Sequence, residues 1–342
     1  MKKIKAIQIV KPEVLRIIEM DMPQIDEKNN VLVKVKASGI CGSDIGIYHG
    51  TNAAATYPRV IGHELSGEIL SIPEDNKKGL KPGDHVVVDP YVYCGKCYPC
   101  SIGRTNCCDD LKVLGVQTEG AMSERFAHPA NLLVKIPDDM AWEDAALAEP
   151  LTISLHCIHR LRLKAGEHVA IFGAGPIGLL AAMAAIAYGA DPILIDLVEG
   201  RLSLAAQSGV KYLINLKTDD LMEKTREYTN GMLCECALEA SGANAAVRST
   251  LDVVCHAGRI AYTGWPHSET SLPTDLFTKK ELDLFGSRNS AGEFEEAVDL
   301  IYHKKINVSK LVTKTVSIDD APQAVRDLEK YPEEYMKITV IF

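Results

Sequence analysis

"GEHVAIFGAGPIGLLAAMAAIAYGA", residues Gly166 to Ala190, decides how this chain folds. "GEHVAIFGAG" reads as a buried strand ending in glycines, and "PIGLLAAMAAIAYGA" as a helix with Gly189 placed to stop it. Between them Gly173, Gly175 and Gly178 spell G-x-G-x-x-G. Asp196 closes the next strand, "PILIDL", 18 residues beyond Gly178. That context is the one a dinucleotide requires. Gly173 makes the tight turn, Gly175 lets a pyrophosphate approach the backbone, and Gly178 lets helix pack on strand. Pro176 and Ile177 open the helix, whose N-terminus offers amide donors and partial positive charge to phosphates. Asp196 is expected to accept from the adenosine ribose 2′-hydroxyl and to repel a 2′-phosphate, which favours NAD over NADP. Arg201 is read either as a stacking partner for adenine or as a plain surface arginine.

The same alternation continues on the C-terminal side. "EGRLSLAAQSG", "YLIN", "DDLMEKTREYTNG", "LCECALEASG", "ANAAVRSTLDVVCHAG", "RIAYTGW" and "LDLFGS" read as the rest of a doubly wound parallel α/β sheet over residues 151–286. Residues 1–150 differ in character. "IKAIQIV", "NVLVKVKASGI", "SGEILSI", "GDHVVVDP" and "LLVKIP" are short strands with Gly and Pro punctuation, expected to form a β-rich barrel-like domain. The elements of residues 287–342 are expected to rejoin it. With 342 residues, two domains are the natural arrangement. The net charge of -9 disfavours nucleic acid, which demands a basic face. The run from Ile177 to Tyr188 is too short for a bilayer, which needs roughly 20 residues. "MKKIKAIQIV" reads as a first strand and not as an export signal, so a cytoplasmic protein is expected.

Cysteine usage fits a reduced compartment. Cys94, Cys97, Cys100 and Cys108 follow C-x2-C-x2-C-x7-C within one short lobe, about residues 90–110. Four thiolates around one tetrahedral ion make a closed, structural zinc site. Cys107 adjoins Cys108 and competes with it for this role. Cys157, Cys234, Cys236 and Cys255 read as small buried hydrophobes. A second, open site is expected from Cys41 in "GICGSD", His63 and Glu64 in "GHELSG", and Glu149 in "AEPLT". One thiolate, one imidazole and one carboxylate leave a fourth position for water or substrate. Glu64 is read either as a group behind the ligands or as an exchanging ligand. His85, His128 and His256 have no such company and read as ordinary.

These motifs resemble the zinc-containing medium-chain dehydrogenases along nearly the whole chain: "GHELSG", the four-cysteine loop, "GAGPIGLL" and "EASGA" occur in the family's order. Glu149, where many alcohol dehydrogenases carry cysteine, looks like the polyol and threonine dehydrogenase branch. "GRTNCC", "VLGVQTEGA", "AEPLTIS" and "FGSRNS" look like the sugar-acid branch, which includes L-galactonate 5-dehydrogenase and starvation-sensing dehydrogenase-like proteins. The resemblance implies a GroES-like barrel split around a Rossmann domain, and dimers or tetramers. Arg288, Asn289 and Gln117 resemble pocket-lining positions of that branch; Tyr48 and Arg59 are weaker substrate candidates. Two departures stand out. The family often has a relay histidine five residues after the zinc cysteine, where this chain has Gly46; His49 or water is then left to carry the proton. Pro73 replaces a usually small residue, a local change.

The expected chemistry is hydride transfer between NAD and a secondary alcohol of a polyol or of a sugar acid such as L-galactonate. Zinc would lower the hydroxyl's pKa, and Ser43 would start the proton outward. Two alternatives stand beside it: a threonine or simple secondary alcohol dehydrogenase, and an NAD-binding redox sensor without turnover.

Overall fold

A computed structural model describes residues 3–342. Met1 and Lys2, the start of the expected first strand, lie outside the described residues; that strand runs Lys3–Lys11. Packing divides the chain into two units: Met1–Glu149 with Phe294–Lys304 and Leu311–Phe342, and Pro150–Glu293 with Lys305–Lys310. The return to the first unit therefore comes at Phe294, not at residue 287. The intervening segment is tied to the second unit. Ser287 donates its backbone N–H to Tyr262 O at 2.9 Å, and Glu293 Oε1 lies 2.8 Å from His156 Nδ1 and 3.3 Å from His159 Nδ1.

In the first unit, Val31–Gly39 forms the middle of the larger sheet. Val31, Val33 and Val35 are fully buried while Leu32, Lys34 and Lys36 are only partly so, the period of a half-buried strand rich in β-branched residues. It pairs antiparallel with Glu64–Ser71, with Arg125–His128 and with the last strand, Lys337–Ile341. Thr339 faces Gly39 and Val340 faces Ser38, so the C-terminal strand completes the N-terminal unit. A smaller sheet joins Lys3–Lys11, Val14–Asp21 and Arg59–Val60. One core cluster gathers Ile7, Ile9, Ile40, Ile47, Ile61, Ile338 and Val340. It seats the backbone on either side of Cys41 and His63.

The second unit is one parallel sheet. Its strands lie in the order Tyr212–Asn215, Asp191–Asp196, His168–Phe172, Cys234–Glu239, Val254–Tyr262, Asp283–Gly286. Numbered by sequence this is 3-2-1-4-5-6, the doubly wound order, with its switch point between His168–Phe172 and Cys234–Glu239. The helix Pro176–Ala187 is buried from Gly178 to Ala185 because it is apolar all round, and it ends where Gly189 adopts φ +78°. Lys280 Nζ donates to Leu251 O and Val254 O at 2.7 Å each, satisfying carbonyls at the end of the helix Asn244–Val253. Among the described residues no helix is long and apolar enough to cross a membrane.

Candidate active site

Cys41 immediately precedes the short helix Gly42–Tyr48, and His63 immediately precedes the strand Glu64–Ser71. The fold brings one ligating atom each of Cys41, His63 and Glu64 within 4.8 Å of one another. Asp44, which the sequence reading passed over, braces this arrangement. Its Oδ2 accepts from Cys41 N at 3.0 Å and its Oδ1 from Gly62 N at 3.4 Å, so one buried carboxylate fixes the backbone beside both ligands. Its position three residues after Cys41, in "CGSD", was the signal. Burial raises the Asp44 pKa, partly offset by His63. Burial works to lower that of His63, but the Cys41 thiolate beside it, by charge and hydrogen bond, leaves it well above the usual imidazole range. His63 Nδ1 and Ser43 Oγ are buried with no hydrogen-bond partner. A soft thiolate, an imidazole and carboxylates, with unmatched polar atoms beside them, suit a zinc ion.

The two glutamates have different seats. Glu64 accepts from Lys337 Nζ at 2.7 and 2.8 Å, one bond to each oxygen, and both side chains are almost fully buried. Lys337 Nζ also donates to Ile40 O at 3.1 Å. Burial would lower the Lys337 pKa, but Glu64 and Cys41 outweigh it and keep it raised. Gly39 makes this seat possible, since a Cβ there would stand 2.1 Å from Glu64 Oε2. Lys337 was not found from sequence: a lysine opening a terminal strand gives no sign of being buried. Glu149, in the first turn of the helix Ala148–Leu161, lies outside the mutual cluster of Cys41, His63 and Glu64. Its Oε1 accepts from the buried Tyr91 hydroxyl, also missed from sequence. Burial pushes Glu149 up to about 7, while the charge of nearby His63 opposes it.

Cys94, Cys97, Cys100 and Cys108 converge, with their sulfurs within 4.8 Å of one another, and Cys107 is not among them. Cys97 Sγ lies 3.4 Å from Cys100 Sγ and 3.8 Å from Cys108 Sγ. A tetrahedral zinc with Zn–S of about 2.3 Å needs sulfurs about 3.8 Å apart, so the loop fits the ion. Backbone N–H groups of Cys94 and Asp110 donate to Cys108 Sγ at 3.2 and 3.4 Å. The N–H groups of Lys96 and Cys97 pull Cys94 down to about 6, which favours the thiolate a metal wants. Cys157, Cys234 and Cys236 are fully buried, as small apolar residues are.

In the second unit each glycine of the motif has a distinct geometry. Gly173 has φ +100°, the left-handed region, with Ser241 3.1 Å from where a Cβ would stand. At Gly175 a Cβ would meet nothing within 4 Å, leaving room before the helix. At Gly178 a Cβ would lie 1.7 Å from Gly173 O. Pro176 and Ile177 open the helix. Asp196 is drawn against this turn: Oδ2 accepts from Ala174 N at 2.5 Å, and Oδ1 from Leu197 N and Val198 N at 2.7 and 2.8 Å. Arg201 is half-buried, with its Nε unpartnered. The cradle fits a dinucleotide.

The other candidates are placed as follows. Tyr48 packs in the core cluster of the first unit. Gln117 Oε1 accepts from Val113 N at 3.0 Å and braces a turn. Arg59 is buried and paired with Glu119 Oε1 at 2.9 Å, so its guanidinium is already engaged. Arg288 is exposed, and Asn289 adopts φ +50°. His49, read as one alternative to a relay histidine at position 46, sits between two carboxylates. Its Nδ1 is 2.6 Å from Glu13 Oε1 and its Nε2 is 2.8 Å from Glu329 Oε2, so both ring nitrogens are taken.

The chain is similar to known proteins along nearly its whole length. Residues 27–138 match the alcohol dehydrogenase GroES-like domain, and residues 176–303 the zinc-binding dehydrogenase domain. A zinc-type alcohol dehydrogenase-like protein of Haemophilus influenzae is 50% identical, over 100% of this chain and 99% of its own. L-galactonate-5-dehydrogenase of Escherichia coli K12 is 37% identical, over 83% of this chain and 84% of its own. The crystal structure of the RspB alcohol dehydrogenase from Escherichia coli CFT073 with NADH superposes with a TM-score of 0.93 at 34% identity, covering 99% of both chains.

Proposed function

The chain belongs to the zinc-containing alcohol dehydrogenases, and from that premise we propose that it oxidises a secondary alcohol on a polyol or sugar acid with NAD. It is an oxidoreductase that works with a nicotinamide cofactor. The observation that carries the proposal is the convergence of Cys41, His63 and Glu64 beside the unmatched Ser43 hydroxyl. We assign Cys41, His63 and Glu149 as the ligands of a catalytic zinc, because Lys337 already donates to both oxygens of Glu64 and keeps that carboxylate behind them. The four-cysteine loop takes a second, structural zinc. Bound in these places, zinc supplies a Lewis acid for the substrate hydroxyl and NAD supplies the hydride acceptor. Ser43 Oγ would accept the proton of that hydroxyl as it passes its own proton on to solvent past Gly46. Asp196 accepts from the ribose 2′-hydroxyl, and its charge opposes a 2′-phosphate, which supports NAD over NADP.

The substrate class rests on the resemblance of "VLGVQTEGA" and "FGSRNS" to the sugar-acid branch and on the substrate in the name of the L-galactonate relative. An exposed Arg288 suits a carboxylate, whose two oxygens match its planar fork. Dimers or tetramers belong to the proposal on the same resemblance. The test is NADH formation over a panel of polyols, aldonates, threonine and simple secondary alcohols, run on wild type and Cys41→Ser. Saturable turnover of a polyol or aldonate is expected, falling to background in Cys41→Ser while NADH binding stays within about twofold of wild type. Turnover of threonine or simple alcohols alone would replace the substrate class. NADH binding without any turnover by zinc-loaded protein would leave a sensor in place of an enzyme.

A further inference from the structure

Tyr91 stands at an unusual junction. The strand Tyr91–Val92 pairs antiparallel with Lys112–Val113, Tyr91 facing Val113, and the two form the stem of the loop that carries the four cysteines. The stem is pinned on both sides: Tyr91 N donates to Asp89 Oδ1 at 3.0 Å, and Leu114 N donates to Pro90 O at 3.1 Å. Three residues beyond Tyr91, Cys94 N donates to Cys108 Sγ and closes the loop on itself. The phenol therefore projects from a rigid ribbon, and its hydroxyl donates to Glu149 Oε1 in a buried setting. The phenol thus holds one of the two oxygens of the Glu149 carboxylate.

We propose that Tyr91 is a positioning residue for the catalytic metal, fixing the orientation of the Glu149 carboxylate. This rests on the ligand set assigned above. A hydrogen-bond partner behind a metal ligand orients it, and its removal typically weakens metal affinity by roughly 10–100-fold. Tyr91→Phe removes the donor and keeps the ring that fills the site.

The experiment is chelator-driven metal release from the two-zinc protein, followed by a colorimetric zinc indicator, with thermal melting alongside. Wild type should release two ions in separate phases. Tyr91→Phe should release the catalytic ion roughly 10–100-fold faster and leave the four-cysteine phase unchanged. An unchanged or slower catalytic phase overturns the proposal. The double variant Y91F/E149Q separates a local effect from a general loosening. If Tyr91 acts through Glu149, adding Tyr91→Phe to Glu149→Gln changes the release rate little; equal effects in both backgrounds overturn the proposal. Wild-type protein that carries no ion sensitive to Cys41→Ser would sink the ligand assignment, an outcome distinct from an indifferent Tyr91→Phe.

Discussion

Gly175 and Gly178 stand three positions apart and fail differently when given a side chain. At Gly178 a methyl group would overlap the carbonyl of Gly173, so the helix Pro176–Ala187 must lift off its strand. Overpacking of this kind costs about 1–3 kcal/mol or more. At Gly175 φ is -70°, which alanine accepts, and the methyl group meets nothing in the protein. It would fill only the room kept for a pyrophosphate. Gly178→Ala is therefore expected to lower the melting temperature by several degrees, and Gly175→Ala to leave it within about one degree while weakening NADH binding at least tenfold. Melting curves and a fluorescence titration of NADH check both. A Gly175→Ala protein as unstable as Gly178→Ala would show that the space serves the fold and not a ligand.

At the scale of elements, His49 ties three pieces of the first unit together. It caps the helix Gly42–Tyr48 and meets Glu13 at the turn between the first two strands and Glu329 on the helix Ala321–Lys330. The hydrogen bonds to Glu13 and then Glu329 raise its pKa. A raised folded-state pKa means the clamp contributes fully below the ordinary imidazole value of about 6.5 and is lost as pH rises through the raised value. Because the clamp sits at the surface, its worth is at most about 1 kcal/mol. His49→Gln should cost that much near pH 5.5 and almost nothing near pH 9, read from urea unfolding at both. A difference that stays constant or grows with pH would mean the charged imidazole is not what holds these elements.

For the whole molecule, the sequence was most legible where chemistry forces spacing. The four cysteines converge, Gly173 takes its left-handed turn and Asp196 lies against that turn, because each of these patterns leaves the backbone few alternatives. What stayed hidden are partners recruited across sequence. Lys337 reaches Glu64 from the last strand, Tyr91 reaches Glu149 from the stem of the cysteine lobe, and Glu119 takes up Arg59. Each is an ordinary residue made special only by packing. The division into units carries its own consequence. Every proposed zinc ligand, from Cys41 to Glu149, lies in Met1–Glu149, whereas Gly173, Gly175, Gly178 and Asp196 all lie in Pro150–Glu293. Metal and dinucleotide are thus expected to stabilise different cores. Structural zinc contributes folding free energy directly, as much as about 10–16 kcal/mol in small zinc peptides, so its loss should fall on the first unit alone. Protein stripped of metal should melt in two steps, the earlier one shifting back on zinc addition. NADH at about 100 times its Kd should raise only the later step, by about 2.7 kcal/mol. Calorimetry with and without each ligand reads this directly. If stripping instead abolishes NADH binding and leaves one transition, the second unit does not hold its dinucleotide cradle by itself, and the assignment of separate metal and cofactor cores fails.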